Sequence, residues 1–187
     1  GFRNGELYQS AQMESFPAII AQSLKEAGFI STFKQPLMPD ETGFGGRLKL
    51  GYSQDCTGEM GLGPVPYSED YDSAAAATNI YDNESFQNLG VPGAKVSNID
   101  QPGYGSEQGN PYFARFASNQ MATILDEAKA QEPTFVVMWI GNNDVLNFAT
   151  SGGLAPITNA ATFETDLTNI VQELSAVGAK GVMCNIP

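Results

Sequence analysis

The apolar positions in residues 15–27 recur at helical spacing, which predicts an amphipathic helix. The expected boundaries are Ser15 as the N-cap, Pro17 in the first turn and Gly28 after the end. The apolar residues that fall on one helical face are Phe16, Ile19, Ile20, Leu24 and Ala27.

Two apolar runs in the second half, residues 134–140 and 180–186, are typical of strands that are covered on both faces. The pattern between them predicts a helix capped by Thr162 that runs through Val177 and stops at Gly178. A strand, a helix and a strand in this order form a βαβ unit, and its crossover is nearly always right-handed. The second half therefore predicts a parallel α/β sheet.

The remaining segments have weaker patterns. Residues 30–82 are rich in Gly and Pro, and an irregular stretch of this length is often a binding loop or a lid when it is ordered. Residues 85–91 have the composition of a short strand, and residues 112–130 predict a helix that breaks near Ser118 and Asn119. We find no internal boundary and expect residues 1–187 to form a single domain.

Composition and charge restrict the classes of partner. The chain has 187 residues, and its 42% hydrophobic and 10% aromatic content indicates a globular domain. Its net charge of −12, with only nine scattered basic residues, excludes a nucleic-acid or anionic-membrane partner, because both need a clustered cationic face. No run of about 18 apolar residues is present, so we expect no transmembrane segment.

Histidine is absent from the whole sequence. These residues therefore contain no Ser-His or Cys-His couple and no histidine-ligated zinc. Cys56 and Cys184 lack the spacing of a zinc or redox motif, and a disulfide between them stays open. An acidic group around residues 69–84 lacks the spacing of an EF-hand and is typical of a solvated loop, so we expect no metal site there. The members of this group are Glu69, Asp70, Asp72, Asp82 and Glu84. We also expect no cofactor.

Two polar, glycine-bearing turns follow apolar runs of the predicted sheet. Residues 88–94 read N-x-G-x-x-G-A, and residues 141–144 read G-x-N-D. Ligands of an open parallel sheet bind beyond the carboxyl ends of its strands, so both turns are expected at the same edge. Taken alone, the second motif is also compatible with an ordinary strand-to-helix turn whose Asn and Asp bond the local backbone.

With their order and separation, these motifs resemble the SGNH or GDSL superfamily of ester hydrolases. The resemblance implies a three-layer α/β/α, flavodoxin-like parallel sheet and an acyl-enzyme mechanism that uses Ser, His and Asp. It also implies that the Gly93 N–H and the Asn143 amide bind the oxyanion, while Gly141 and Asp144 support the second turn. The expected substrate is a carboxylic ester, either a small molecule or an O-acylated carbohydrate. An exported bacterial protein, whether periplasmic, cell-surface or secreted, is also implied.

The sequence departs from the family pattern in two places. It contains neither the GDS(L) nucleophile motif nor the D-x-x-H motif, although residues 1–28 resemble the segment just after that nucleophile. We therefore expect an internal fragment that is inactive alone. Its sheet lacks the first strand, so either a missing segment or a second chain supplies that strand, or the fragment pairs differently. The alternative is a noncatalytic glycan-binding or scaffold module on the same fold.

Overall fold

The computed structural model describes residues 2–83 and 85–186, so Gly1, Glu84 and Pro187 lie outside the described residues. The chain forms two compact units, Gly1–Ile80 and Tyr81–Pro187. The single-domain organisation stays a prediction. Within the described ranges, no helix has the length and apolar character needed to cross a membrane.

The first unit combines two antiparallel hairpins with short helices. Strand β1 pairs with β2, and β3 pairs with β4. In chain order, the elements are β1 (Phe2–Arg3), β2 (Glu6–Leu7), α1 (Gln9–Met13), α2 (Phe16–Glu26), β3 (Leu48–Gln54), β4 (Met60–Pro66) and α3 (Ser73–Ala77).

Helix α2 confirms the helix predicted for residues 15–27. Gly28 follows it with φ +77°, a backbone conformation that favours glycine. Ser15 occupies the N-cap position as predicted, but its side chain bonds no helical N–H, because its hydroxyl donates to the Gln12 carbonyl at 2.7 Å. Phe16 and Ile19 on the apolar face are 41% and 57% exposed, so much of this face lies at the surface.

The β3–β4 hairpin lies inside the stretch that was predicted to be irregular. Its register aligns Leu50 with Pro64 and Tyr52 with Leu62, which places these apolar side chains on one face. The signal was an alternation of apolar residues along β3, and the glycines and prolines around it obscured that pattern. The irregular prediction is therefore wrong for residues 48–54 and 60–66.

The second unit contains the parallel strands. A 3-10 turn (Val96–Asn98) is followed by α4 (Pro111–Ala114), α5 (Ile124–Lys129), β5 (Phe135–Met138), α6 (Asn142–Thr150), α7 (Ala160–Ala176) and β6 (Lys180–Met183). Strands β5 and β6 pair in parallel, and Val137 aligns with Val182. This pairing confirms the βαβ unit and the α/β class.

One face of β5 packs on the core of this unit, where Val136 and Met138 contact a buried cluster built around Ile170. The opposite face carries Phe135 and Val137, which are 56% and 38% exposed. The prediction that this run is covered on both faces is therefore wrong for the described residues. The remaining buried members of the cluster are Val96, Leu125 and Leu174.

The larger sheet implied by the resemblance is not formed within the described ranges. Residues 85–91, predicted as a strand, follow an irregular path, and each sheet has two strands. Two of these three sheets are antiparallel. The three-layer arrangement therefore stays a prediction.

The helical predictions for the second unit were correct in type and imprecise at their ends. The helix predicted for residues 112–130 is broken between α4 and α5, as the sequence indicated. The predicted cap Thr162 is wrong, because Asn159 Oδ1 accepts from the N–H groups of Ala161 and Thr162 at 2.9 and 3.3 Å. Cys56 and Cys184 are free thiols, the first exposed and the second half-buried.

Candidate active site

The first predicted turn leads into the 3-10 turn of the second unit. Gly93 has φ +80°, which an L side chain rarely adopts. Asn110 Nδ2 donates to the Pro92 carbonyl at 2.9 Å and holds the start of this turn. Gly93 is exposed, and its N–H donates to no acceptor within residues 2–83 and 85–186. It is therefore an available backbone donor.

The second predicted turn joins β5 to α6. Gly141 occupies the N-cap position of α6 with φ +108°, and it is buried. A Cβ at this position would lie 2.8 Å from Ile186 Cδ1 and 3.1 Å from Phe163 Cζ. Both the backbone conformation and the close packing therefore require glycine, and they place Asn143 and Asp144 in the first helical turn.

Two hydrogen bonds join the second turn to the end of the first turn and to the 3-10 turn that follows it. Asn143 Nδ2 donates to the Ala94 carbonyl at 2.8 Å. The Val96 N–H donates to Asp144 Oδ2 at 3.0 Å. The structure thus brings together Gly93, Asn143 and Asp144, which the sequence predicted to lie at one edge of a sheet.

The Asn143 side chain can bind an anion while it holds this position. A primary amide carries two N–H donors, and the bond to Ala94 uses one of them. The second donor meets no acceptor in the part of the chain that the structure describes. Because the amide is neutral and fixed by its first bond, it can donate to developing negative charge without a change in protonation.

Asp144 is positioned to anchor the turns. Its side chain is 2% exposed, and its backbone carbonyl accepts from the Thr158 N–H at 3.2 Å. Carboxylate Oδ1 has no hydrogen-bond partner among the described residues, so the side chain acts through the contact of Oδ2 with Val96. These contacts fit the predicted supporting role of Asp144, which stays a prediction, as do the roles of Gly93, Gly141 and Asn143.

Asn110 also contributes to this site. Its Oδ1 caps α4 by accepting from the Tyr112 N–H at 3.0 Å, and its Nδ2 also donates to the Tyr104 hydroxyl at 3.0 Å. Burial raises the pKa of Tyr104, and the hydrogen bond from Asn110 opposes this rise. The sequence signal was Asn before Pro111, which indicates a cap but gives no sign of the bond to Pro92.

A comparison with protein families identifies the family of this chain. A family model described as GDSL-like Lipase/Acylhydrolase matches residues 41–182. The chain belongs to this family. The matched range includes both turns of the candidate site, and membership confirms the resemblance to the GDSL hydrolases. No curated protein and no solved structure matches the chain significantly.

The family match does not extend to the start of the sequence. Residues 1–40 lie outside the matched range. The likeness of residues 1–28 to the segment after the nucleophile therefore stays a prediction, and Gly1 also lies outside the described residues.

Proposed function

We propose that this chain supplies the oxyanion-binding part of a GDSL-type ester hydrolase. In this proposal the Gly93 N–H and the second N–H of Asn143 donate to the oxyanion of a tetrahedral intermediate. The observation that carries the proposal is the 2.8 Å bond from Asn143 to Ala94, because it holds a neutral donor beside the Gly93 turn. Gly141 and Asp144 keep that donor in place.

The nucleophile and the base come from residues beyond these 187. The sequence contains no histidine, so a Ser-His couple cannot be assembled from this chain alone. We infer that the chain alone does not turn over esters. The exposed face of β5, with Phe135 and Val137, supports a further inference that more sheet and helix complete a three-layer domain.

The substrate class rests on family membership. We infer a carboxylic ester, either a small molecule or an O-acylated carbohydrate, for the complete enzyme. Stabilisation of an oxyanion is common to both, so the two turns do not select between a small alcohol and a carbohydrate as the leaving group. Export from a bacterial cell is part of the same proposal.

The proposal is tested in the full gene product that contains this chain, with a chromogenic acetate ester as substrate. Asn143→Ala is expected to lower kcat by roughly 10²-fold or more, as loss of one oxyanion donor does. Asn147→Ala is the matched control, because Asn147 is exposed on the same helix. Its kcat should equal that of the wild type.

Three results would contradict the proposal. Unchanged kcat in Asn143→Ala would remove the oxyanion role. A full gene product that lacks both a GDS-type serine and a D-x-x-H histidine, and that binds a glycan without turnover, would favour the noncatalytic module. Ester turnover by the 187-residue chain alone would contradict the placement of the nucleophile and base.

A further inference from the structure

The β3–β4 hairpin of the first unit has an exposed apolar face. Its most exposed members on β3 are Leu50 and Tyr52, at 73% and 71%. Tyr52 aligns with Leu62 and Leu50 aligns with Pro64 across the hairpin, so these four side chains form one continuous patch. Leu62 is 57% exposed. We call the patch, defined by Leu50, Tyr52, Leu62 and Pro64, the hairpin face.

The register also shows which backbone groups point away from the hairpin. Beyond the strand ends, the Asp55 N–H donates to the Glu59 carbonyl and the Tyr67 N–H donates to the Arg47 carbonyl. Odd-numbered residues of β3 therefore bond β4, and the even-numbered residues direct their N–H and C=O groups outward, because antiparallel pairs alternate in this way. The outer edge of β3 thus offers the backbone of Leu50, Tyr52 and Gln54.

The two edges of the hairpin differ in their ability to accept another strand. On β4, the outward positions include Pro64 and Pro66, which have no N–H, so only Met60 and Leu62 can donate from this edge of the strand. On β3, the outward N–H of Leu48 already donates to the Asn4 carbonyl at 2.7 Å. The available length of the β3 edge therefore begins at Leu50.

We propose that the β3 edge pairs with the β3 edge of a second copy of this chain in a two-fold antiparallel arrangement centred on Tyr52. This register uses all three available residues, since Tyr52 faces Tyr52 of the other copy and Leu50 faces Gln54. It also joins the two copies of the hairpin face into one apolar surface across a four-stranded sheet.

Charge complementarity supports the same register. With Tyr52 at the centre, Lys49 lies opposite Asp55 of the other copy, and this pair occurs twice. Both side chains are exposed. Lys49 Nζ donates to the Tyr67 carbonyl at 2.9 Å, which leaves two of the three ammonium N–H donors for a carboxylate. Opposite charges at facing positions stabilise a strand pair. Asp55 accepts hydrogen bonds from Thr57 and Glu59 on Oδ1, so a cation can approach Oδ2.

A register shifted by one alignment step is less favourable. It would set Leu50 opposite Tyr52. It would also need the Leu48 N–H, which already donates to the Asn4 carbonyl. It would also set Arg47 opposite Asp55. The Arg47 guanidinium is held between the Tyr8 and Tyr67 rings at 3.7 and 3.8 Å, so it is not available for that contact.

The first experiment measures the mass of the 187-residue chain by light scattering over a range of concentrations. We expect a dimer of twice the chain mass of 19.9 kDa. Tyr52→Glu places two carboxylates at the two-fold axis and should raise the dimer dissociation constant by about tenfold or more. Leu62→Glu is the matched control, because it changes the same face one strand away from the edge. It should have a smaller effect.

Reversing the charge at position 49 tests the register independently of the apolar face. Lys49→Glu sets like charges opposite each other twice and should weaken the dimer, and adding Asp55→Asn should restore the part of the loss that this repulsion causes. Lys25→Glu makes the same charge change on exposed α2 and should leave the dissociation constant unchanged. Circular dichroism of each variant verifies its fold.

Cross-linking gives a second measure of the register. In a Cys56→Ser, Cys184→Ser background, Tyr52→Cys should form an intermolecular disulfide on oxidation, because facing residues of this kind lie about 5.5 Å apart at Cα. Leu62→Cys in the same background should not. A chain that is monomeric at all concentrations, equal effects of the two Glu variants, or cross-linking at residue 62 in place of 52 would each overturn the proposal.

Discussion

The Asn143 amide and the Ala94 carbonyl are joined by a 2.8 Å hydrogen bond between turns 49 residues apart in sequence. The bond fixes the rotamer of a side chain that would otherwise turn freely at the start of α6. It therefore makes the orientation of a proposed oxyanion donor a property of the folded unit, present before any ligand binds.

This relationship predicts a stability effect in the 187-residue chain that is separate from activity. Asn143→Ala should lower the free energy of unfolding by about 1 kcal/mol, the usual net value of one hydrogen bond. Asn143→Asp should lower it more, because a carboxylate has no donor and would face the Ala94 carbonyl. Urea unfolding followed by circular dichroism measures both, and equal stability of Asn143→Asp and wild type would contradict the bond.

Asp144 is predicted to contribute more to stability than its neighbour. Asp144→Ala leaves the buried Val96 N–H without its acceptor, which should cost about 1–3 kcal/mol. Asp144→Asn keeps an oxygen that can accept from Val96 and should cost less. The same urea measurement compares the two, and a larger loss for Asn than for Ala would argue against the anchoring bond.

The glycine at the start of α6 should tolerate no side chain. Gly141→Ala combines a positive φ with a Cβ that approaches Ile186 and Phe163. Gly178→Ala is the control, because Gly178 has φ +88° and a Cβ added there would meet nothing within 4 Å. We expect a loss of about 1–2 kcal/mol for Gly178→Ala from the backbone alone. Gly141→Ala should lose about 1–3 kcal/mol more from overpacking, and equal thermal shifts would exclude the packing contribution.

The first unit should lose stability in acid through Glu41. Burial acts to raise the pKa of this carboxyl, but hydrogen bonds from Ser10 and Arg47 outweigh it and hold the pKa below its ordinary value of 4.5. A lowered pKa in the folded state stabilises the fold above pH 4.5, and this contribution is lost as the pH falls through the folded-state pKa. Glu41→Gln should therefore be less stable at neutral pH and less sensitive to pH below 4.5.

Hydrogen exchange of the Ser10 amide reports this effect locally, because that N–H donates to Glu41 Oε1 at 2.8 Å. Glu26→Gln, an exposed substitution on α2, is the control and should preserve the wild-type pH profile. Parallel pH profiles for wild type and Glu41→Gln would remove Glu41 as the cause.

The sequence predicted the elements whose apolar spacing is regular and local. Helices α2 and α7 and strands β5 and β6 follow from such spacing. The β3–β4 hairpin was missed because its alternation is short and interrupted by Gly51 and Pro64, residues that usually indicate loops. The strand predicted for residues 85–91 did not form, since a strand needs a hydrogen-bonded neighbour and none is present among the described residues.

The candidate site was predictable as a set of residue types but not as a set of contacts. The motifs indicated Gly93, Asn143 and their supporting residues. The bond from Asn110 to Pro92 depends on how a loop returns across 18 residues, and no local pattern encodes that path. The hydroxyl of Ser15 likewise bonds Gln12 in place of the helix that follows it. In both cases tertiary geometry decides which of several possible acceptors a polar side chain meets.

The two bonds between the turns are asymmetric, because residues 141–144 contribute side chains whereas residues 94–96 contribute main-chain atoms. Any residue at position 94 presents a carbonyl, and any residue except proline at position 96 presents an N–H. Divergence among family members should therefore be unequal. Apart from Gly93, the first turn can change its side chains within the limits of size and keep the site, while the second turn must retain both its amide and its carboxylate.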